Sequence, residues 1–464
     1  MSEQKVAAEH LQHLQVLIGK EYTSKSVALA DIKATLKRSE PDIKNYELGV
    51  IQFWILKNAV TGSLRKYTRL YLLLSLMLAT MGGLLYIIPH FFDNLPGIKN
   101  NNIWFSSTTG RGAIGITIGS LLIVFYVLLY WFPQYIVNVV VLVDPVSYFI
   151  RNLPADQWFL YGFLYTVTVF VMGLRMLAKY RHSRYHIVRT ISIMFFQTIF
   201  AFILPSLMER LSMPGLDLKN AWPLNYYFFA DWNIRNLLSS GNLGVFMFVW
   251  GIVLSIVLVP VLTYFFGKRW YCSWVCGCGG LAETMGDPFR QLSNKSLRAW
   301  KVERISIYGV LVFASVMTIL QIVSYSTNGT LFGGLSGALN QVYSFLIGAA
   351  FAGVIGTGFY PFMGNRVWCR FGCPLAAIMG IVQRFKSRFR ITTNGGQCIS
   401  CGNCSTYCEM GIDVRAYAQR GENIVRASCV GCGVCAAVCP RGVLRLENGP
   451  VANRFNLVKL EPVN

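Results

Sequence analysis

Long apolar runs, separated by short polar and basic segments, occupy most of the chain after residue 66. Each run approaches the roughly 20 residues that a helix needs to cross the hydrocarbon core of a bilayer. The pattern therefore predicts an all-α polytopic membrane protein with seven or eight transmembrane helices. Seven crossings are predicted at residues 69–90, 113–132, 158–177, 187–207, 243–266, 305–324 and 339–362.

The run 135–150 is apolar too, but it is shorter and contains Pro145. We predict a short or broken eighth crossing there, because the neighbouring runs can keep their assigned sides of the membrane only if something crosses between them.

Residues 1–66 precede the apolar runs and mix charges of both signs. Residues 7–18 and 26–36 have the pattern of modest amphipathic helices, and the segment lacks the apolar core of a signal peptide. We predict a cytoplasmic helical N-terminal region. It is either a small domain or an element that docks a partner, and nothing in its sequence decides between the two.

Charge and composition sharpen this picture. The chain is 54% hydrophobic and 14% charged, with a formal net charge of +21. Lysine and arginine flank the apolar runs, as in the basic turn 179–184, and no recognition motif accompanies them. This distribution follows the positive-inside rule and argues against nucleic-acid binding. It predicts a bacterial inner (cytoplasmic) membrane protein whose N-terminus and C-terminal domain both face the cytoplasm.

All 13 cysteines lie at or after position 272, and eight of them form a doubled run near the C-terminus. Such spacing, with three cysteines two residues apart and a fourth further on, is typical of a ferredoxin with two [4Fe–4S] clusters, in which the last cysteine of each run ligates the other cluster. A disulfide or zinc framework does not explain it. The predicted ligands are Cys398, Cys401, Cys404 and Cys439 for cluster 1, and Cys429, Cys432, Cys435 and Cys408 for cluster 2.

Two further cysteine motifs directly follow predicted inward crossings. One contains Cys272, Cys276 and the additional Cys278, and the other contains Cys369 and Cys373. A four-residue spacing places two sulfurs on one face of a helical turn, so the two motifs together offer four thiolates to one iron or copper centre. Buried inert cysteines are the alternative. Cys278 is an alternative ligand to Cys276.

These motifs, the spans between them and the C-terminal dicluster ferredoxin resemble the membrane polyferredoxins, including the NapH, NosR and CcoG (FixG/RdxA) proteins. The resemblance covers about residues 243–445. It implies an inner-membrane role in electron transfer or oxidase maturation. It departs from the family at Gly277, which stands where a proline follows the second cysteine of the first motif. We divide the chain into an N-terminal region (1–66), a transmembrane domain (67–366) and a second-motif and ferredoxin domain (367–464).

The expected function is single-electron transfer between the two clusters and a membrane partner or the quinone pool, by way of the juxtamembrane cysteines. A cytoplasmic donor or acceptor would complete the path. Two alternatives stay open: a maturation factor that reduces a metal such as copper, and an iron–sulfur subunit of a larger membrane oxidoreductase. An electron-transfer protein or subunit is favoured over a stand-alone enzyme. The sequence contains neither a Cys-x-x-Cys-His haem motif nor a dinucleotide-binding glycine motif.

Overall fold

The computed structural model describes residues 13–41, 43, 45–93, 112–213, 217–394 and 397–449. The first half of the predicted helix 7–18 and the polar loop after the first crossing lie outside this part of the chain. Within it, regular structure is helical except for two strands, β1 (Phe389–Thr393) and β2 (Leu444–Asn448). They pair antiparallel, with Ile391 opposite Leu446.

Seven helices among the described residues are long and apolar enough to cross a membrane, as predicted. In chain order, spans 1 to 7 are Thr68–Leu85, Ala113–Trp131, Gln157–Lys179, Arg184–Arg210, Gly241–Phe266, Leu297–Ser326 and Gly333–Gly358. Much of their surface is exposed leucine, valine, isoleucine and phenylalanine, which is the surface that lipid requires. The predicted fold class, an all-α membrane scaffold carrying a C-terminal dicluster ferredoxin domain, is confirmed.

The apolar run 135–150 is not one long helix. The segment forms two short helices, Val137–Leu142 and Asp144–Arg151, joined at Val143. At 1.5 Å per residue they are roughly 9 and 12 Å long, against the ~30 Å of a bilayer core. The predicted eighth crossing and the predicted cytoplasmic placement of the N-terminus and the ferredoxin domain stay predictions.

The structure divides into two compact units. The first comprises the described residues of Met1–Leu84, Val124–Tyr165 and Ser206–Ser212. Its N-terminal helices, Lys25–Ser39 and Asn45–Asn58, pack against each other. The buried ammonium of Lys57 donates to the Asp144 carboxylate over 2.7 Å. That ion pair holds the N-terminal helices to the short helices between spans 2 and 3.

The second unit comprises the described residues of Leu85–Ile123, Thr166–Pro205 and Met213–Asn464. It holds every cysteine and one large apolar core shared by the ends of spans 5 and 6, the two cysteine motifs and the ferredoxin domain. Its shorter helices are Asp231–Ser239, Arg269–Cys272, Gly277–Glu283, Asp287–Leu292, Tyr360–Met363, Val367–Phe371, Pro374–Phe385, Asn403–Thr406, Val414–Arg420 and Val434–Ala437.

Spans 4, 5 and 7 each contain a π-helical stretch, at Phe196–Ile203, Leu254–Leu258 and Ser344–Ile355. π-Helical stretches are rare in proteins, and those that do occur are often found at functional sites. Two of the three lie in the spans that lead into the cysteine motifs. In the third, the buried Gln197 amide donates to the Val275 carbonyl, inside the first motif, over 2.8 Å.

Candidate iron–sulfur sites

The four cysteines predicted for cluster 1 line one cavity. Cys398, Cys401, Cys404 and Cys439 surround it, together with Arg415, Pro440 and Leu444. Burial, with a smaller contribution from the three other thiols of the set, raises the pKa of Cys404 to about 11. Binding to iron is what keeps such a sulfur deprotonated. This set is the outer one, because Cys401 is exposed and Cys398 and Cys439 are partly exposed.

The cysteines predicted for cluster 2 lie deeper. Cys429 and Cys435 are buried, and Cys408 and Cys432 are partly buried. Burial raises the pKa of Cys435 well above its ordinary value, and the thiols of Cys429, Cys408 and Cys404 add to the effect. Since Cys404 belongs to the first set, the two sets interact with each other. That proximity suits electron transfer between two clusters.

The loops that carry the two sets repeat the same local structure. Gly402 and Gly433 cap the short helices Asn403–Thr406 and Val434–Ala437 with φ of 80° and 82°. A side chain is strained in this left-handed region, and a Cβ on Gly433 would also lie 2.8 Å from the Tyr185 ring. The glycine lets the second loop approach span 4, where the Tyr185 hydroxyl donates to the Gly431 carbonyl over 2.8 Å.

The two Cys-x3-Cys motifs also repeat one structure, but it is not the single helical turn that the spacing predicted. Cys272 and Cys369 lie in the short helices Arg269–Cys272 and Val367–Phe371. Cys276 and Cys373 are the N-caps of the next helices, Gly277–Glu283 and Pro374–Phe385. The chain turns between the two cysteines of each pair, and the expectation of one shared helix face is wrong.

This turn places the second sulfur of each motif at a helix N-terminus. The Ala376 amide donates to the Cys373 Sγ over 3.4 Å, and the Gly279 amide bonds to Cys276 in the same way. Helix N-terminal amides favour a thiolate over a thiol. Burial still raises the pKa of Cys373 well above its ordinary value and that of Cys272 to about 12.

The four juxtamembrane cysteines lie together in the buried core of the second unit. Cys373 interacts electrostatically with Cys369, Cys272 and Cys276, so the two motifs face each other. A hydrogen bond with Cys278 lowers the pKa of Cys276 and raises that of Cys278. The geometry thus favours Cys276 as the thiolate and Cys278 as a donor to it. We call Cys272, Cys276, Cys369 and Cys373 the thiolate site.

Hydrogen bonds join the thiolate site to the loop that carries cluster 2. The Ser273 hydroxyl donates to the Val430 carbonyl over 3.0 Å. The Gln383 amide donates to the Cys429 carbonyl over 2.7 Å, and its oxygen accepts from the Lys268 backbone amide, also over 2.7 Å. The order along the structure is therefore the cysteines predicted for cluster 1, those predicted for cluster 2, and the thiolate site.

Sequence reasoning missed a buried group of eight charged side chains beside these sites, which we call the ion network. Its acids are Glu283, Asp287 and Glu409, and its bases are Arg175, Lys179, Arg189, Arg290 and Arg366. In formal charge the five bases exceed the three acids by two. Burial opposes ionisation of Glu283, but Arg189, Arg290 and Arg366 together hold the pKa of that carboxyl far below its usual range.

The ion network contacts the cysteines of two sites. Arg366 donates to the Cys272 carbonyl over 3.0 Å and to the Cys369 Sγ over 3.7 Å. Arg189 donates to the Cys432 carbonyl. The one signal in the sequence was Glu409, which follows Cys408 where Pro440 follows Cys439; its carboxylate accepts from Arg290 over 2.6 Å. An excess of buried positive charge favours the anionic cubane with its thiolate ligands.

Comparison with known families agrees with the chemistry of these cysteines. The 4Fe-4S binding domain family matches twice, at residues 249–296 and 344–392, which contain the two Cys-x3-Cys motifs. The 4Fe-4S dicluster domain family matches residues 397–444, the ferredoxin. Together with the seven apolar helices, these matches fit a membrane 4Fe–4S protein. The predicted recognition and the binding of 4Fe–4S clusters are confirmed at this level.

Two curated proteins resemble this chain over part of its length. YccM of Escherichia coli (strain K12), whose description reads "Putative electron transport protein", is 25% identical over 32% of this chain and 43% of its own length. The methylamine utilization ferredoxin-type protein MauN of Methylobacillus flagellatus is 24% identical over 33% of this chain and 52% of its own. The chain thus spans about half the length of the curated relatives it matches. No solved structure matches it. These findings support iron–sulfur electron transfer as its role.

Proposed function

We propose that the protein conducts single electrons from a soluble donor at cluster 1, through cluster 2, to a third iron–sulfur centre at the thiolate site, and from there to a partner or quinone in the membrane. The observation that carries this proposal is the thiolate site itself. Four cysteines from two separate motifs lie in one buried core, and the neighbouring Ser273 and Gln383 donate hydrogen bonds to the loop of cluster 2. The reverse direction of flow uses the same path.

We assign iron rather than copper to the thiolate site for two reasons. The family that matches both motifs is described as a 4Fe-4S binding domain. Four cysteines are also the ordinary ligand set of a cubane. A cluster supplies a carrier that gains and loses one electron. The chain's own residues hold and tune it: the Ala376 and Gly279 amides and Arg366 donate to the sulfurs, and the surrounding core excludes water.

Cluster 1 is the proposed entry point, because its cysteines are the most exposed of the three sets. Ile399, between two of its ligands, is 54% exposed and offers an apolar contact to a soluble partner. The thiolate site is at the opposite end of the path, directly after spans 5 and 7, where a membrane partner or quinone is within reach.

The test is the iron and sulfide content of anaerobically purified protein in detergent, combined with EPR. About twelve irons per chain are expected, with a third signal besides the interacting pair of the ferredoxin. About eight irons and no third signal would contradict the third centre while leaving the ferredoxin intact. Stoichiometric copper would instead support the maturation factor.

We further propose that the cysteine-bearing side faces the cytoplasm of a bacterial inner membrane and that the N-terminal region lies on the other face. On the cysteine side, the connections 180–183 and 267–296 carry five basic residues, whereas the described residues of the opposite connections 132–156, 211–240 and 327–332 carry three. The five are Arg181, Lys268, Arg269, Arg290 and Lys295, and the three are Arg151, Lys219 and Arg235. The positive-inside rule assigns the first group to the cytoplasm.

An epitope tag at each end tests this orientation. When protease is added to intact spheroplasts, we expect cleavage of the N-terminal tag and protection of the C-terminal tag until the cells are lysed. Protection of both tags would support an even number of crossings and contradict the seven-span arrangement.

A further inference from the structure

A cavity beside the thiolate site has no role in the path above. It encloses about 220 Å³ between the first turns of span 6, helix Pro374–Phe385 and the loop 425–428 that precedes Cys429. Cys369 forms part of its wall. It is separate from the cavity of cluster 1.

Four cations line this cavity without a carboxylate partner among the described residues. They are Lys268, Arg304, Arg384 and Arg426. The one carboxylate in the lining, Glu303, is bound to Arg370 over 2.7 Å. Lys268 is 1% exposed, and its ammonium donates to the Ala427 carbonyl over 2.9 Å. Arg304 and Arg384 are exposed and Arg426 is partly buried. Like charges in one lining repel one another, and a bound anion relieves that repulsion.

Aromatic rings hold two of these guanidinium groups in place. Arg304 and Arg426 both lie against the Trp300 ring, 5.2 and 4.7 Å from its centroid. Tyr308 and Tyr417 complete the aromatic wall. Planar guanidinium groups fixed in this way match the tetrahedral oxygens of a phosphate group, each donating two parallel hydrogen bonds.

We propose that this cavity binds a phosphate group, carried either by a small soluble molecule or by the headgroup of an acidic phospholipid. Span 6 contains 30 residues, or roughly 45 Å of helix, so it exceeds the ~30 Å bilayer core. Its first turns therefore lie at the membrane surface, which both sources reach. The bound phosphate places negative charge beside Cys369. Any effect of the bound phosphate on a metal centre at the thiolate site rests on the proposed function, but the binding of the phosphate does not.

The first arm titrates inorganic pyrophosphate into full-length protein in neutral detergent by calorimetry. The test variant is the double substitution Arg304→Gln with Arg426→Gln. The matched control is Lys301→Gln, which removes a charge from an exposed position of the same helix that does not line the cavity. The double variant should weaken binding by more than roughly tenfold, and the control should leave it unchanged.

The second arm compares melting temperatures in nanodiscs of phosphatidylcholine with and without phosphatidylglycerol. If phosphatidylglycerol raises the melting temperature of the wild-type protein but not that of the double variant, and pyrophosphate does not bind, the phosphate group comes from a lipid. The proposal would be overturned if the protein neither bound pyrophosphate nor gained stability from phosphatidylglycerol. It would also be overturned if Lys301→Gln weakened these effects as much as the double variant does. Iron content is measured on the same samples. A normal iron content without phosphate binding would leave the electron path standing, whereas phosphate binding with only eight irons would reject the third centre alone.

Discussion

Replacing Cys373 with serine is expected to remove about four irons per chain and the third EPR signal, while the two ferredoxin signals remain. Cys373 caps helix Pro374–Phe385 and faces the three other thiols of the thiolate site. A serine oxygen binds iron more weakly than a thiolate does and is not deprotonated in this buried position. Iron and sulfide analysis with EPR of the anaerobically purified variant measures the loss.

Cys278→Ser is the matched control, because this cysteine is adjacent in space but is assigned as a donor to Cys276 rather than as a ligand. We expect this variant to keep all the irons, since a serine hydroxyl can still donate to the Cys276 sulfur. If Cys278→Ser lost the third centre and Cys373→Ser kept it, the assignment of ligands within the motifs would be reversed.

The ferredoxin could be predicted from the sequence because its ligand spacing is local. Three cysteines two residues apart bind one cubane through a single short loop, so the spacing already contains the geometry. The structure places the remote Cys439 against Cys398, Cys401 and Cys404, as the cross-ligation prediction requires. The ligand assignments themselves remain predictions until metal is measured. The spans were equally predictable, since bilayer thickness sets the length of an apolar run.

The sequence predicted which cysteines make up the thiolate site, but it did not predict the backbone conformation of the two motifs. A spacing of four is compatible with one helical turn, and also with a break in which the second cysteine becomes the N-cap of a new helix. Pro374 is a signal for the second arrangement, because proline favours the first position of a helix. The first motif has Gly277 at that place and carries no such signal.

The two short helices within 135–150 and the ion network were not predicted for a common reason, which is that buried charges pair with residues far away in the sequence. Asp144 lies in the apolar run and is paired with Lys57, 87 residues earlier. Asp287 is paired with Arg175, 112 residues earlier. Apolar content alone cannot separate a lipid-facing helix from one that is buried against protein, and pairing at such distances leaves no local pattern.

The ion network leads to the second large prediction, that Glu283→Gln destabilises the protein by about 3–5 kcal/mol. Glu283 is 1% exposed and neutralises Arg189, Arg290 and Arg366, whose charges would remain buried in the variant. The excess of positive charge in the network would rise from two to three. Thermal unfolding in detergent, followed with the cluster absorbance, measures the loss.

Glu422→Gln provides the control for the same chemical change. Glu422 is 52% exposed and pairs with Arg420 at the surface, where such a pair contributes at most about 1 kcal/mol. Combining Glu283→Gln with Arg290→Gln restores the original charge excess, so the double variant should lose less stability than the sum of the two single variants. Equal losses in Glu283→Gln and Glu422→Gln would show that the buried carboxylate does not offset these cations. The charge next to Cys369 and Cys432 would then have to be balanced by the clusters themselves.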